Sequence, residues 1–285
     1  MKILVLGCNG MAGHLISLYL KEQGHDVLGF ALEESKLIPS VAGNAMNADF
    51  MKELIGVNKF DSVINCIGLL NQYAEDHKAD AAYLNSYFPH FLAQLTEGTD
   101  TQIIHMSTDC VFSGKRGQYT ETDLRDGESF YDRSKALGEI EDGKNLTLRQ
   151  SIVGPDINPR GIGLLNWFMQ QQGTINGYTK AIWTGQTTLQ LAKTMEQAIK
   201  EKAHGLFNTV PETWISKYDL LGLFNKYLRN GQIEILPVEK VTLDKSLKRT
   251  RYEFNCAIPD YEQMVREMAD WMRAHKALYP HYDLG

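Results

Sequence analysis

A tyrosine and a lysine four residues apart, in Tyr131-Asp132-Arg133-Ser134-Lys135, form the pair in this chain best suited to proton transfer. On a helix, residues at i and i+4 share a face, so the phenol and the ammonium would stand side by side. A free phenol, with a pKa of about 10, is a poor acid or base at neutral pH. A neighbouring lysine cation stabilises the phenolate and brings it nearer the working range. An exposed Tyr and Lys on a solvated helix would carry the same spacing, so the pair needs support elsewhere. Upstream, residues 103–106 read as a strand ending in Ser107-Thr108-Asp109-Cys110-Val111-Phe112. That places a hydroxyl at the carboxyl end of a parallel strand, where open α/β sheets bind ligands. A third group lies at the start of the chain, in Gly7-Cys8-Asn9-Gly10-Met11-Ala12-Gly13. Gly7 permits a tight turn, Gly10 clears space for a pyrophosphate, and Gly13 lets helix and strand approach. The helix N-terminus that follows offers free N–H groups and partial positive charge to phosphates.

These groups need a scaffold, and the hydrophobic pattern supplies one. Residues 2–6 read as a strand, 13–23 as a helix, 26–30 as a strand and 49–56 as a helix. Residues 62–66 give a strand, 79–96 a helix, 102–105 a strand and 146–150 another strand. Such alternation implies an α/β fold, a Rossmann-type doubly wound parallel sheet covered on both faces. Beyond Gly154 the texture changes, with Pro155, Pro159 and several glycines before a helix at 163–172. Helices are expected at 187–202 and 261–275, with a strand at 205–210. Met264, Met268, Trp271 and Met272 share a stripe of the last helix and read as core packing. The expected organisation is a dinucleotide-binding domain over 1–154 and a smaller substrate-binding region over 155–285. Residues 187–210 would return to the first domain.

Composition narrows the function classes. A chain of 285 residues, 43% hydrophobic, can bury a large core. A net charge of −6 without a dense Lys/Arg run argues against nucleic acid or an anionic membrane as partner. No apolar stretch approaches the ~20 residues that span a bilayer. The opening run 1–6 meets glycine too soon to be a signal-peptide core. Cys8, Cys66, Cys110 and Cys256 are scattered without a CxxC spacing, which suggests a reducing, cytoplasmic setting and no structural metal.

Together with Asn47-Ala48-Asp49-Phe50, Val63-Ile64-Asn65, Gly138-Glu139, Arg149-Gln150-Ser151, Gly185-Gln186-Thr187-Thr188-Leu189 and Gly205-Leu206-Phe207-Asn208, these motifs run in one order along most of the chain. In that order they resemble the extended short-chain dehydrogenase/reductase superfamily. Within it the resemblance is greatest to the dTDP-4-dehydrorhamnose reductase family, which acts on nucleotide-linked 4-keto-6-deoxysugars. The resemblance implies that Thr108 hydrogen-bonds the substrate carbonyl, Tyr131 donates its proton, and Lys135 holds the nicotinamide ribose and tunes Tyr131. It places Gly7, Asn9, Gly10, Met11, Gly13, Asp49, Phe50, Cys66 and Ile67 along the cofactor. It assigns Cys110, Ile152, Asn166 and Arg249 to the substrate side, and makes Asn85 a support of the active-site network. Lys248 and Arg251 share with Arg249 the chance to grip a diphosphate, against a solvated charged loop.

The second strand ends at Ala31 without an acid to hold an adenosine ribose, and Glu33 and Glu34 come later with no arginine. The expected cofactor is therefore NADPH, with NADH accepted. The family commonly has Tyr where Cys110 stands and Trp where Ile152 stands, so the sugar or its nucleotide differs. Sugar-nucleotide 4,6-dehydratases carry Thr-Asp-Glu where this chain has Thr108-Asp109-Cys110, which removes their base. Epimerase–reductases carry a cysteine matching Cys110, but their partner histidine has no counterpart between Asp156 and Gln172. Non-catalytic regulatory subunits are a third alternative, and a homodimer stays open.

Overall fold

The computed structural model describes residues 1–284. Seven strands, all paired in parallel, form the central sheet. They are β1 (Lys2–Leu6), β2 (Asp26–Ala31), β3 (Ser40–Ala42), β4 (Ser62–Asn65), β5 (Gln102–Met106), β6 (Leu146–Arg149) and β7 (Gly205–Asn208). Their spatial order is β7-β6-β5-β4-β1-β2-β3, so the direction of winding reverses beside β1.

Why the sheet is covered twice is visible within β1 alone. Side chains alternate across a strand, and Ile3 and Val5 enter one core while Leu4 and Leu6 enter another. The first core holds Leu15, Ile16 and Leu20 of helix Met11–Glu22 against Leu191, Ala192 and Met195 of helix Thr188–Glu201. The second holds Met51, Leu54 and Ile55 of helix Ala48–Asn58 with Phe88, Phe91 and Leu92. This is a Rossmann-like doubly wound sheet. Its carboxyl edge, at the β1–β4 crossover, is where such folds bind ligands.

The second body of side chains packs around three helices, Leu164–Met169, Lys217–Leu228 and Tyr261–Ala274. Met264, Met268 and Met272 lie in this core, whereas Trp271 packs from its edge against the first one. Short strand pairs frame the region: Thr174–Tyr178 with Glu234–Val238, and Ala181–Trp183 with both Ile215–Ser216 and Leu243–Asp244. β7 closes the main sheet beside β6, after helix Thr188–Glu201 has crossed back onto it.

The helix expected at 79–96 is one continuous rod with an irregularity. Lys78–Ala81 widens into a π-helical turn, Ala82–Tyr87, before Phe88–Leu95. Pro89 explains the turn. It has no N–H for the Asn85 carbonyl four residues back, and its ring would strike that carbonyl in a regular helix. Outside the sequence expectations lie β3, helix Asn71–Asp76, helix Lys217–Leu228 and the short strand pairs. Among the described residues no helix is long and apolar enough to cross a membrane.

Candidate active site

The candidate reacting groups are set by two short elements. Thr108 caps the 3-10 turn Asp109–Val111 that follows β5: its Oγ1 accepts from the Cys110 amide (3.1 Å) and donates to Asp109 Oδ1 (3.1 Å). Tyr131 and Lys135 occupy helix Phe130–Leu137, whose start is fixed by a capping box. Ser129 Oγ accepts from the Asp132 amide (3.0 Å), and Asp132 Oδ2 accepts from the Ser129 amide (3.3 Å). Glu75, on the unanticipated helix Asn71–Asp76, adds a second cap by accepting from the Phe130 and Tyr131 amides (2.6 and 3.2 Å).

Both Tyr131 and Lys135 are buried, so this is no solvated face. Tyr131 packs against Cys110, Ala74 and Ala81. Burial, then the nearby Cys110, push its phenol well above the usual range, and a Thr108 hydroxyl contact works the other way. The phenol is thus a held proton. Lys135 is lowered to about 8 by burial, with Glu139 and Cys66 opposing. Its Nζ donates to the Met106 carbonyl (2.7 Å) and meets His105 Nε2 at 3.3 Å. Burial also pushes the Cys110 thiol up to about 12.

A buried ion pair anchors the strand ends beneath these groups. Glu139 accepts from Arg149 Nε and Nη2 (2.8 and 2.7 Å), from Ser107 Oγ (2.6 Å) and from Arg125. Burial works to raise the Glu139 carboxyl, but Arg149, Arg125 and Ser107 outweigh it and hold it low. Asn85 is likewise buried rather than solvated. It accepts from the Leu69 amide and donates to the Leu69 carbonyl and Ser134 Oγ (2.8, 2.9 and 3.0 Å), tying the π-turn to the Tyr131 helix.

The glycine loop lies at the end of β1. Gly7 has a left-handed φ of +80° and donates to the Phe30 carbonyl (2.8 Å). A Cβ on Gly13 would come within 2.1 Å of the Gly7 carbonyl oxygen, so helix and strand touch backbone to backbone. The helix starts at Met11 after Gly10 with no side-chain cap, which leaves its first N–H groups for an anion. Asn9 donates to the Glu33 carbonyl (2.9 Å) and fixes the loop after β2. Cys66 and Ile67 follow β4 and crowd Gly7. Phe50 stacks toward Phe30 at 6.1 Å, while Asp49 is exposed in a helix turn capped by Asn47 (3.2 Å) and pairs with Lys52. This cradle fits a dinucleotide.

Two expected substrate residues are engaged by the chain itself. Asn166 is fully buried, donates to the Pro159 and Gly161 carbonyls (3.2 and 2.6 Å), and accepts from Tyr282 (2.7 Å). Arg249 donates to the Arg251, Cys256 and Phe254 carbonyls, folding its own loop. Arg251 donates to the Leu206 carbonyl (3.0 Å) and covers Phe207, so neither arginine is a solvated charge. Ile152 is half-buried on the strand Ser151–Val153, paired with Gln186. One side chain the sequence did not single out comes close: Lys217, the first residue of helix Lys217–Leu228, stands over Trp183 at 5.2 Å. Burial lowers it to about 8, and Asp109 and Cys110 pull it back up. Nothing in its local sequence links it to residues 108–135.

Comparison with known proteins bears on the family and the fold. A family model described as RmlD substrate binding domain matches residues 1–274. The chain is 32% identical over 143 residues to the "Probable low-salt glycan biosynthesis reductase Agl14" of Haloferax volcanii, covering 49% of this chain and 48% of that one. It spans about half the length of the first curated relatives it matches. Against a dTDP-4-dehydrorhamnose reductase of Aggregatibacter actinomycetemcomitans it is 24% identical over 96% of this chain and 97% of the other. Among solved structures, one described as a dTDP-4-dehydrorhamnose reductase from Clostridium acetobutylicum superposes with a TM-score of 0.79 (21% identity; 96% and 100% covered). Another, from Bacillus anthracis in complex with NADP, gives 0.77 (17% identity; 94% and 98% covered). The chain belongs to the RmlD substrate-binding domain family.

Proposed function

We propose that this protein is an NAD(P)H-dependent reductase of the 4-keto group of a nucleotide-linked 6-deoxyhexose, with NADPH preferred, serving a surface-polysaccharide precursor. The observation that carries the reading is the burial of Tyr131 and Lys135 on one helix face with Thr108 at the carboxyl end of β5. The NADP-bound Bacillus anthracis structure and the reductase relatives support it.

The glycine loop 7–13 would hold the pyrophosphate, and Cys66 and Ile67 would flank the cofactor. A reduced nicotinamide, when bound, supplies a hydride to the carbonyl carbon. Thr108 Oγ1 hydrogen-bonds the carbonyl oxygen, and Tyr131 Oη gives that oxygen its proton as negative charge develops there. Because burial keeps the phenol protonated, the proton leaves only toward a strong base such as an alkoxide. A Lys135 ammonium then steadies the phenolate. Residues 155–285 would supply the nucleotide-side contacts and hold the ketone in place, replacing a bimolecular encounter by an oriented one. Lys36, exposed on the loop after β2, is a cation available to a 2′-phosphate.

The test is a spectrophotometric panel of NADPH and NADH oxidation with dTDP- and UDP-linked 4-keto-6-deoxysugars. Nicotinamide absorbance should fall with at least one of them. Tight cofactor binding without consumption of any would move the protein to the regulatory reading. One observation favours a second reading, epimerisation beside the ketone before reduction. Cys110 carries a held proton, and Lys217, lowered to about 8 by burial, feels the charge of Asp109 and Cys110, so a donor and a base lie in the same region. Turnover in D2O would then place solvent deuterium at C3 or C5 as well as on oxygen.

A further inference from the structure

A buried histidine lies behind the lysine and has no part in the scheme above. His105 is fully buried in β5 between two polar side chains from different elements. Asn65 Nδ2, on β4, meets its Nδ1 at 3.2 Å, and Lys135 Nζ meets its Nε2 at 3.3 Å. Which ring nitrogen carries the proton follows from the next bond along. Asn65 Oδ1 accepts from the Ile67 amide (3.1 Å), and a backbone N–H cannot be reversed. The Asn65 amide nitrogen therefore faces His105 as a donor, Nδ1 accepts, and the proton of the neutral imidazole stands on Nε2. Nε2–H points at Lys135 Nζ. An ammonium has three donors and no acceptor, so it would set two donors face to face there. A neutral amine instead accepts from Nε2–H and still donates to the Met106 carbonyl.

We propose that His105 is the positioning residue for Lys135, favouring its neutral amine over its ammonium through an Nε2–H···Nζ hydrogen bond until the loaded site offers the ammonium better acceptors. The proposal rests on the reductase reading only for its purpose, since the hydrogen-bond chain Ile67–Asn65–His105–Lys135 exists without any ligand. The other ionisable groups facing the pair are Cys66 after β4, Glu139 beyond the Tyr131 helix, and His90 on helix Phe88–Leu95. Glu139 is held by Arg149 and Arg125, and His90 Nε2 donates to the Leu137 carbonyl (2.8 Å). Neither touches Nζ. The low value for Lys135 and the displacement of His105 below the usual imidazole range agree with this arrangement. Its consequence is that, above about pH 8, loading the site is coupled to proton uptake by Lys135.

Two NMR measurements on the unliganded full-length protein test this. In the wild type, 15N spectra of His105 should show the Nε2–H tautomer; the Nδ1–H tautomer overturns the proposal. In 13C-lysine-labelled protein, with Lys135 assigned through a K135M variant, the ε-carbon should titrate near 8. In H105N, which mimics Nδ1 but offers no donor at the Nε2 position, that titration should rise by about one unit or more. In H105Q, whose amide nitrogen overlays Nε2, it should return toward the wild-type value. Equal titrations in H105N and H105Q, or a wild-type lysine that titrates at its ordinary value, overturn the proposal; if H105N does not fold, the tautomer measurement decides. Failure of the substrate panel with the expected NMR result removes the reductase reading and leaves His105 in its role. Turnover with an unmoved lysine does the reverse.

Discussion

On the proposed function the chemistry turns on Tyr131, whose phenol is buried among Cys110, Ala74 and Ala81, and burial holds its proton well above the usual range. Tyr131→Phe should reduce kcat by about 10²–10⁴-fold, the usual contribution of one general acid. Cofactor affinity should stay within a small factor, as measured by fluorescence titration; full retention of turnover would eliminate Tyr131 as the proton donor. Lys135 shows the conflict between catalysis and stability. Its folded-state value near 8, below the ordinary 10.5, means that the unfolded chain binds the proton more tightly. Stability present above about pH 10.5 is lost as pH falls toward 8, and the full penalty applies at pH 7. Lys135→Met should therefore stabilise the fold at pH 7 by about 1–3 kcal/mol while turnover is lost. The gain should shrink as pH rises from 8 toward 10.5, which denaturant titrations at several pH values would reveal. On the proposed function, kcat/KM of the wild-type protein should fall as pH rises through about 8, where the unliganded site loses the Lys135 ammonium.

At the scale of elements, short-range interactions aim the side chains. The helix that carries Tyr131 and Lys135 has only 8 residues, too few to be stable alone. Its direction depends on the Ser129–Asp132 capping box and on Glu75 from another helix. Ser129→Ala should cost about 1 kcal/mol in stability, read by urea denaturation, and should lower kcat through the tilt of Tyr131. The glycine loop is stricter. A Cβ at position 13 would meet the Gly7 carbonyl oxygen at 2.1 Å and Gly7 C at 2.8 Å, backbone that cannot rotate away. Gly13→Ala should abolish cofactor binding by pushing helix Met11–Glu22 off β1; unchanged affinity in calorimetry would refute the packing argument. Pro89 and its π-turn do the same kind of aiming, because the turn brings Asn85 to Leu69 and Ser134 at once.

Across the whole molecule, the C-terminal segments are sewn back onto the nucleotide side. Tyr279 meets buried His14 at 2.9 Å behind the glycine loop, and Tyr282 donates to Asn166. Glu121 accepts from the Thr250 and Asn208 amides, holding the 243–250 segment against β7. Arg249 belongs to this framework. Arg249→Ala should lower Tm and leave the KM for the sugar nucleotide unchanged; a raised KM at constant Tm would return the guanidinium to a substrate role. Met268, fully buried in the core around helices Leu164–Met169, Lys217–Leu228 and Tyr261–Ala274, supplies the corresponding measure of packing. Met268→Ala should cost about 2–5 kcal/mol by denaturant unfolding.

Much of this protein is legible in order along the chain, because period-2 and period-3.6 patterns report burial directly. The doubly wound sheet, the glycine loop, the Tyr131–Lys135 face and the Met stripe all follow from local patterns of that kind. β3 escaped because three residues at a sheet edge carry no period, and helix Lys217–Leu228 because Gly222 interrupts its middle. What no spacing could reveal is partnership across long separations. Glu75 capping the Tyr131 helix, Lys217 within electrostatic reach of Asp109 and Cys110, and His105 between Asn65 and Lys135 arise only when strands and loops far apart in sequence converge. The same holds for Arg249, whose charge suggests a ligand until the fold brings three of its own carbonyls within reach. A side chain's type is fixed by the sequence, but its hydrogen-bond partner and its solvation are fixed by packing, and these decide how readily a buried lysine keeps its proton.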